Sequence, residues 1–276
     1  MPSPAKRFSK RPLRATPVPA PSVSLTEFVD HDFGAVLSNG HDTILEFNFQ
    51  GNFHGHKPLS LANRAQPFCP YRQAHIAEWT TAHERRIAFT LNRLGDILIY
   101  HDHMLVFARR AGAWHFLTHS PVIQQMNVPR NPNLRVAIYE TCLDASFART
   151  GACIGVVQVD AGSAWRGVIA PADMISGQVS VKTRALTKLI GDANFQDLDR
   201  RTRQEIVAID GATVISHRGA ILAAGAILQI AGGSTGGGRL AAAKALSEHG
   251  LGIKVSQDGG ISGYRRPNQR LAFRVM

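Results

Sequence analysis

A chain of 276 residues with 44% hydrophobic and 18% charged side chains has the composition of a folded globular protein with room for two domains, and it holds no apolar run near the roughly 20 residues of a membrane span. Its net charge of +11 favours an anionic partner, because the summed field concentrates anions around the protein. Three widely spaced cysteines, Cys69, Cys142 and Cys153, exclude a disulfide framework and a zinc ribbon and fit a reducing, cytoplasmic setting.

Residues 1–26 read as a disordered basic tail. Lys6, Arg7, Lys10, Arg11 and Arg14 stand among prolines and serines with no acidic residue before Glu27, so a solvated arm accounts for part of the charge. The prolines oppose an amphipathic targeting helix, and the segment lacks the apolar core of a secretory signal. Residues 27–127 read as a compact α+β domain. Strands are predicted at Thr43–Phe49, Asp96–Tyr100, Met104–Ala108 and Trp114–Thr118, with turns at Asp102-His103 and Arg110–Ala113, and a helix over Gln73–Leu94.

The two prolines and two asparagines of Val128–Asn133 place the domain boundary there. Beyond it, residues 134–276 alternate helix and strand. A helix is predicted over Leu134–Arg149 with Gly151 as its cap, and a buried strand over Ala152–Val159. Two helices follow at Val179–Ile190 and Phe195–Gln204, then a strand at Ile206–Ile209 leading into Asp210-Gly211-Ala212. Strands Thr213–Ser216 and Ala220–Leu228 precede the run Gly232–Gly238 and a helix at Arg239–His249. Strands Leu251–Ser256 and Ile261–Tyr264 close the domain around the hairpin signal Gln257–Gly260. The fold class is therefore α/β: a C-terminal mixed sheet flanked by helices, beside a smaller N-terminal α+β domain.

Two features carry chemistry. A carboxylate at a tight turn, Asp210, can hold a divalent metal, and a glycine run opening a helix exposes N–H groups to an anion. An isolated Asp-Gly is commonly a plain turn and a glycine run commonly a linker. Their succession along one domain, with a helix directly after the glycines, favours the functional reading. Arg239 at a helix start opposes the macrodipole, a cost that a bound phosphate offsets.

The order strand, Asp-Gly-Ala, hairpin, glycine loop, Ala-rich helix with Leu246-Ser247-Glu248, strand Ile253–Ser256 and turn Asp258–Ser262 resembles the diadenylate cyclase domain over Leu134–Ser262, about half the chain. That family condenses two ATP into cyclic di-AMP, a second messenger, with release of pyrophosphate. The resemblance implies that Asp210 is catalytic and binds Mg2+ or Mn2+, and that Gly211 and Ala212 lie along the ribose and base. It further implies that Thr235, Gly236, Gly237, Gly238 and Arg239 hold the triphosphate of ATP or a related nucleotide, with Ser247 and Glu248 near phosphates and metal. It implies a homodimer or higher homo-oligomer, and a sensor or regulatory role for residues 27–127. The family's Arg-His-Arg triplet falls on Arg239-Leu240-Ala241, retaining only the first arginine. Two readings follow: a nucleotidyltransferase in which the glycines, with Thr235, Lys244 or Lys254, replace the lost donors, and a nucleotide-binding sensor without turnover; a third is a nucleic-acid-binding protein dominated by its basic tail.

The other candidates read as structure. His54/His56, His101/His103 and His75/His83/Glu84 are assigned as polar positions, with no metal ligand among them. Trp79, Phe89, Trp114 and Phe116 are read as core rather than as a base-stacking surface. The basic pairs Arg85-Arg86, Arg109-Arg110, Arg200-Arg201 and Arg265-Arg266 match no nucleic-acid motif. No membrane partner is expected.

Overall fold

A computed structural model of the chain describes residues 22–31, 33–38, 42–60, 68–80, 85–177, 180–230 and 237–276. The basic tail up to residue 21, His83, Glu84, Thr235, Gly236 and the start of the glycine run lie outside these residues. The chain divides into two compact units, one of residues 1–39 and 43–57 and the other of residues 40–42 and 58–276.

In its described part, the smaller unit holds helices α1 (Leu25–Val29) and α2 (Phe33–Leu37) and the paired strands β1 (Thr43–Phe47) and β2 (Phe53–Pro58). Ser24 starts α1 with a capping box: its hydroxyl accepts from the Glu27 N–H, and the Glu27 carboxylate accepts from the Ser24 N–H at 2.8 Å. Phe28, Phe47 and Phe53 pack ring to ring at 5.1 to 5.5 Å, giving this small unit its apolar centre.

The larger unit is built on two sheets. Helix α3 (Ala74–Trp79) precedes an antiparallel meander of β3 (Ile87–Leu91), β4 (Ile97–His101), β5 (Met104–Arg110) and β6 (Ala113–Phe116). The helix predicted over Gln73–Leu94 is corrected: it stops at Trp79, and Ile87–Leu91 is a strand. Ile87, Phe89 and Leu91 alternate at period two, and the turn Asn92–Gly95, with Gly95 at φ +79°, delivers the chain to β4. Pairing with β4 outweighs the helical spacing of the apolar residues. The core assignment of the aromatics is corrected too: Phe89, Trp114 and Phe116 are 69%, 55% and 65% exposed.

Helices α4 (His119–Gln125) and α5 (Pro132–Ala148) follow, with Val128–Asn133 linking them inside this unit. Asn131 accepts from the Asn133 N–H and Pro132 opens α5 with its φ preset, so the helix starts sharply. At the other end Arg149, at φ 58°, takes the left-handed position that sequence reasoning gave to Gly151. Then come β7 (Ala152–Val157), α6 (Val181–Ile190), α7 (Arg200–Ala208), β8 (Ala212–Ser216), β9 (Ile221–Ala226), α8 (Gly238–Ser247), β10 (Gly250–Val255), β11 (Ile261–Arg265) and β12 (Arg270–Val275). The predicted strand Ile206–Ile209 is instead the end of α7. Asp199 caps that helix, and Arg203, Ile206 and Val207 are buried at helical spacing. β12 was not anticipated, although Phe273 and Val275 alternate with Arg274 and are buried on one face.

The six strands run in the order β12-β11-β10-β7-β8-β9, a mixed sheet in which β7 and β8 are parallel and the other pairs antiparallel. Helices cover both faces, so β7 is buried at every position. Ala152, Ile154 and Val156 share one core with α5, α7 and the inner face of the meander, while Cys153 and Val157 face α8 with Ala243 and Leu246. This is the predicted α/β class with a helix-flanked mixed sheet. Among the described residues no helix is long and apolar enough to cross a membrane.

His119 ties the layers together: its ring nitrogens bond the Leu105 carbonyl and the Tyr139 hydroxyl, each at 2.8 Å, and its ring stacks on Phe68. Burial lowers its pKa below the ordinary 6.5, with the Leu105 carbonyl pulling the other way. Folding thus prefers the neutral ring. That contribution is complete above the unfolded pKa and is lost as pH falls below about 6.5, where the unfolded chain takes up the proton first. Urea midpoints should fall from pH 7 to pH 5 in the wild type, and His119→Gln should flatten this dependence; an unchanged slope would remove His119 from the account.

Candidate functional site

Three segments distant in sequence meet at one end of the six-stranded sheet. β7 and β8 run parallel with Ile154 opposite Thr213, so the residues that lead into them, Gly151 and Asp210, lie at the same end of the sheet. β10 is antiparallel to β7 with Val255 opposite Ala152, so its end, Ser256 onward, lies at the same edge. Helix α8 crosses this face and begins there.

Asp210-Gly211 leads out of α7 into β8 and is not a hairpin turn. Gly211 sits at φ +113°, and a Cβ there would lie 2.5 Å from the backbone of Gly225 on β9. Gly225 is itself at φ +58° and would meet Ile209. Two glycines in contact therefore let β9 press on the Asp210 turn, leaving the Asp210 side chain exposed. Asp173 and Lys182, which no periodic pattern marked, brace the same place. Lys182 donates to Asp173 and to the Gly225 carbonyl, both at 2.6 Å, and Asp173 accepts from the Ile227 N–H at 2.8 Å. Burial raises the Asp173 carboxyl, but these two donors outweigh it and hold its pKa below the ordinary value.

Gly237, at φ +83°, stands at the N-cap of α8 and its carbonyl accepts from the Leu240 and Ala241 N–H groups, which leaves those of Gly238 and Arg239 without an acceptor inside the helix. Arg239 reaches back toward the sheet. A Cβ on Gly151 would lie 2.8 Å from its guanidinium, so the glycine leaves room for the arginine at the start of β7. Its charge also reaches Cys153, whose thiol is pushed up to about 12 by burial against the pull of Arg239. Gly237, Gly238, Arg239, Lys254, Ser256, Gln257 and Asp258 line an open cleft of about 340 Å³. Two cations and a helix N-terminus thus face one recess, an arrangement suited to phosphate. Lys254 is one of the residues the sequence offered to replace the lost charge, whereas the turn Ser256–Asp258 was not in the sequence-read site.

That turn is held from behind. The buried Asp96 carboxylate accepts from Arg110 at 3.3 Å and from Arg149 at 3.0 Å. Arg149 donates to the Asp258 carbonyl, and Ser146, which accepts from Arg110, donates to the Gly259 carbonyl at 2.5 Å. Gly259, at φ +100°, admits no side chain because a Cβ would lie 1.8 Å from the Arg110 guanidinium.

Other sequence-read residues lie elsewhere. Ser247 and Glu248 end α8, about 13 Å along the helix from Gly238. Ser247 is fully buried, and its hydroxyl donates to the Lys244 carbonyl at 2.7 Å. Ala212 is buried in β8. Asp210 stands at the cleft's end of the sheet but is not among its lining residues. Among the described residues no group of three or more His, Cys, Asp or Glu side chains is placed to hold a metal ion. A hard cation such as Mg2+ often takes only one or two protein carboxylates and completes its shell with water and phosphate oxygens, so the exposed Asp210 fits that mode. A smaller recess of about 170 Å³, lined in part by Asn127, Gln158, Arg265 and Arg266, opens at the other end of β10 and contains none of the sequence-read residues.

No family model matches the chain, and no curated protein matches it. Among solved structures it is similar to a hypothetical membrane spanning protein from Bacillus cereus, at 20% identity and a TM-score of 0.36 over 50% of this chain and 61% of the other. It is also similar to DacA from Staphylococcus aureus, in a double-mutant form, at 16% identity and a TM-score of 0.33 over 52% of this chain and 86% of the other. The match thus spans about six-tenths of the Bacillus cereus chain.

Proposed function

We propose that the end of the six-stranded sheet is a nucleotide-phosphate site of the diadenylate cyclase type, and that it binds nucleotide as a sensor. The observation that carries phosphate binding is the convergence of Arg239, Lys254 and the open N-terminus of α8 on one cleft. The adjacent Asp210 would hold Mg2+ or Mn2+ against the bound phosphates, lowering their charge. Two further observations favour binding over turnover. The helix positions after Arg239 are Leu240 and Ala241, which offer no side-chain donors, and Ser247 spends its hydroxyl inside its own helix. Charge stabilisation of a nucleotidyl-transfer transition state rests on such donors.

The rival reading is synthesis of a cyclic dinucleotide by a homo-oligomer, each subunit presenting ATP to its partner. Calorimetry with ATP, with and without Mg2+ or Mn2+, tests the site, and product separation with mass detection separates the readings. The sensor reading expects binding with no pyrophosphate released. Cyclic di-AMP with pyrophosphate would assign synthesis instead, and absence of any nucleotide binding would end both. Arg239→Ala removes a charge-assisted donor and is expected to weaken ATP binding about tenfold to hundredfold. Equal affinity in the variant would take Arg239 out of the site.

A further inference from the structure

The outward face of the β3–β6 meander breaks the rule for a solvated antiparallel sheet, whose outer positions are ordinarily polar. Phe89, Ile99, Phe107 and Phe116 lie directly opposite one another across all four strands, one row from edge to edge. Phe89, Phe107 and Phe116 are 69%, 39% and 65% exposed, and the Phe107 and Phe116 rings stand 5.1 Å apart. In the next row Trp114, 55% exposed, pairs with the exposed Arg109. With strands about 4.8 Å apart, the aromatic row spans roughly 14 Å.

Charge selects the occupant. Over residues 85–118 the exposed arginines are Arg85, Arg93 and Arg109, with Arg86 half-buried against Trp79, while Arg110 is buried on the inner side with Asp96. Asp96 is buried and paired with Arg110 and Arg149, and Asp102 lies in the β4–β5 turn. The face is therefore aromatic with a basic border, in a chain of net charge +11. A second copy would bring like charges together, whereas a polyanion with flat apolar groups meets both features. Single-stranded nucleic acid has that chemistry: its bases stack on exposed aromatic rings and its phosphates pair with arginine. Duplex bases keep their faces inside the helix and cannot stack this way.

We propose that this face of the meander binds single-stranded nucleic acid by base stacking, independently of the nucleotide cleft. The full chain is titrated into fluorescein-labelled oligodeoxythymidine and oligouridine of about 16 nucleotides, and into a duplex of equal length, at about 0.15 M salt. Anisotropy should show both single strands binding at least tenfold more tightly than the duplex, and tighter binding of one of them identifies the sugar preferred. Phe89→Ala and Phe116→Ala remove exposed rings, leaving the fold in place by circular dichroism, and each should weaken single-strand binding about tenfold. Arg109→Gln should lower the salt dependence. The proposal is overturned by no binding, by equal binding of duplex, or by unchanged affinity in both ring variants, which would leave the basic tail as the binder. It is equally overturned if sedimentation shows a dimer that these variants split with oligonucleotide affinity unaltered.

Discussion

Replacing Arg200 by methionine is expected to cost about 3–5 kcal/mol of folding free energy, because it strands a buried carboxylate. Arg200, 3% exposed, donates to Asp144 through two nitrogens at 2.7 and 2.9 Å and to the Cys69 carbonyl at 2.6 Å. Asp144 also accepts from the Tyr71 N–H at 2.7 Å, so one ion pair joins α7, α5 and the segment entering α3. Arg203 supports it from one turn later, donating to Glu140 at 2.6 Å. Burial raises the Asp144 carboxyl while Arg200 pulls it back, and removing the arginine leaves burial opposed only by the Tyr71 N–H and the charge of Arg203. A double variant, Arg200→Met with Asp144→Leu, removes both charges and should recover much of the loss. Urea unfolding followed by circular dichroism reads both. A loss below about 1 kcal/mol in Arg200→Met, the size of an exposed pair, would show that the network contributes little.

This network was not visible in the sequence, and the reason is general. Arg200-Arg201 read as one of several basic pairs with no nucleic-acid motif, because nothing local says that the first is buried and the second exposed; only the docking of α7 on α5 decides it. What periodicity reports was legible: the alternation along β4, β5, β8, β10 and β11 gave strands at nearly their observed positions, and the turns at Asp102-His103 and Gln257–Gly260 gave their hairpins. The failures came where two periods compete, as at Ile87–Leu91, or where the backbone has none. Asp173 belongs to a short 3-10 segment, Pro171–Asp173, and its partner Lys182 opens α6, so their joint bracing of Gly225 left no sequence signal. In the candidate site, Gly237, Gly238 and Arg239 were legible as a glycine run opening a helix. Lys254 was one of three candidates for the missing contact or charge, and only the antiparallel pairing of β10 with β7 singles it out from Lys244; Ser256 and Gln257, brought to the cleft by the same pairing, were not legible.

Gly252→Ala is expected to be the most damaging small change near the cleft. Gly252 on β10 is directly opposite Gly155 on β7, and together they form a floor without side chains under α8. Ala243 of α8, fully buried, and Ala242, packed beside it, have their reason here: small groups on both surfaces let helix and sheet approach closely. A Cβ on Gly252 would lie 1.7 Å from the Ala243 carbonyl oxygen and 2.6 Å from its carbon. These are backbone atoms, so α8 must lift as a body. Because Gly238 and Arg239 ride on that helix, the displacement reaches the phosphate cleft. We expect a loss of about 3 kcal/mol in stability together with loss of ATP binding. Gly155→Ala supplies the contrast, since the atoms nearest its Cβ would belong to the Leu246 side chain, a methyl at 2.7 Å and Cγ at 3.0 Å, and a side chain gives way more easily than backbone. That variant should lose about 1 kcal/mol and retain its affinity for ATP. Urea unfolding and calorimetry on the two variants test the argument together. Equal effects from both would mean that the helix does not rest on the glycine floor.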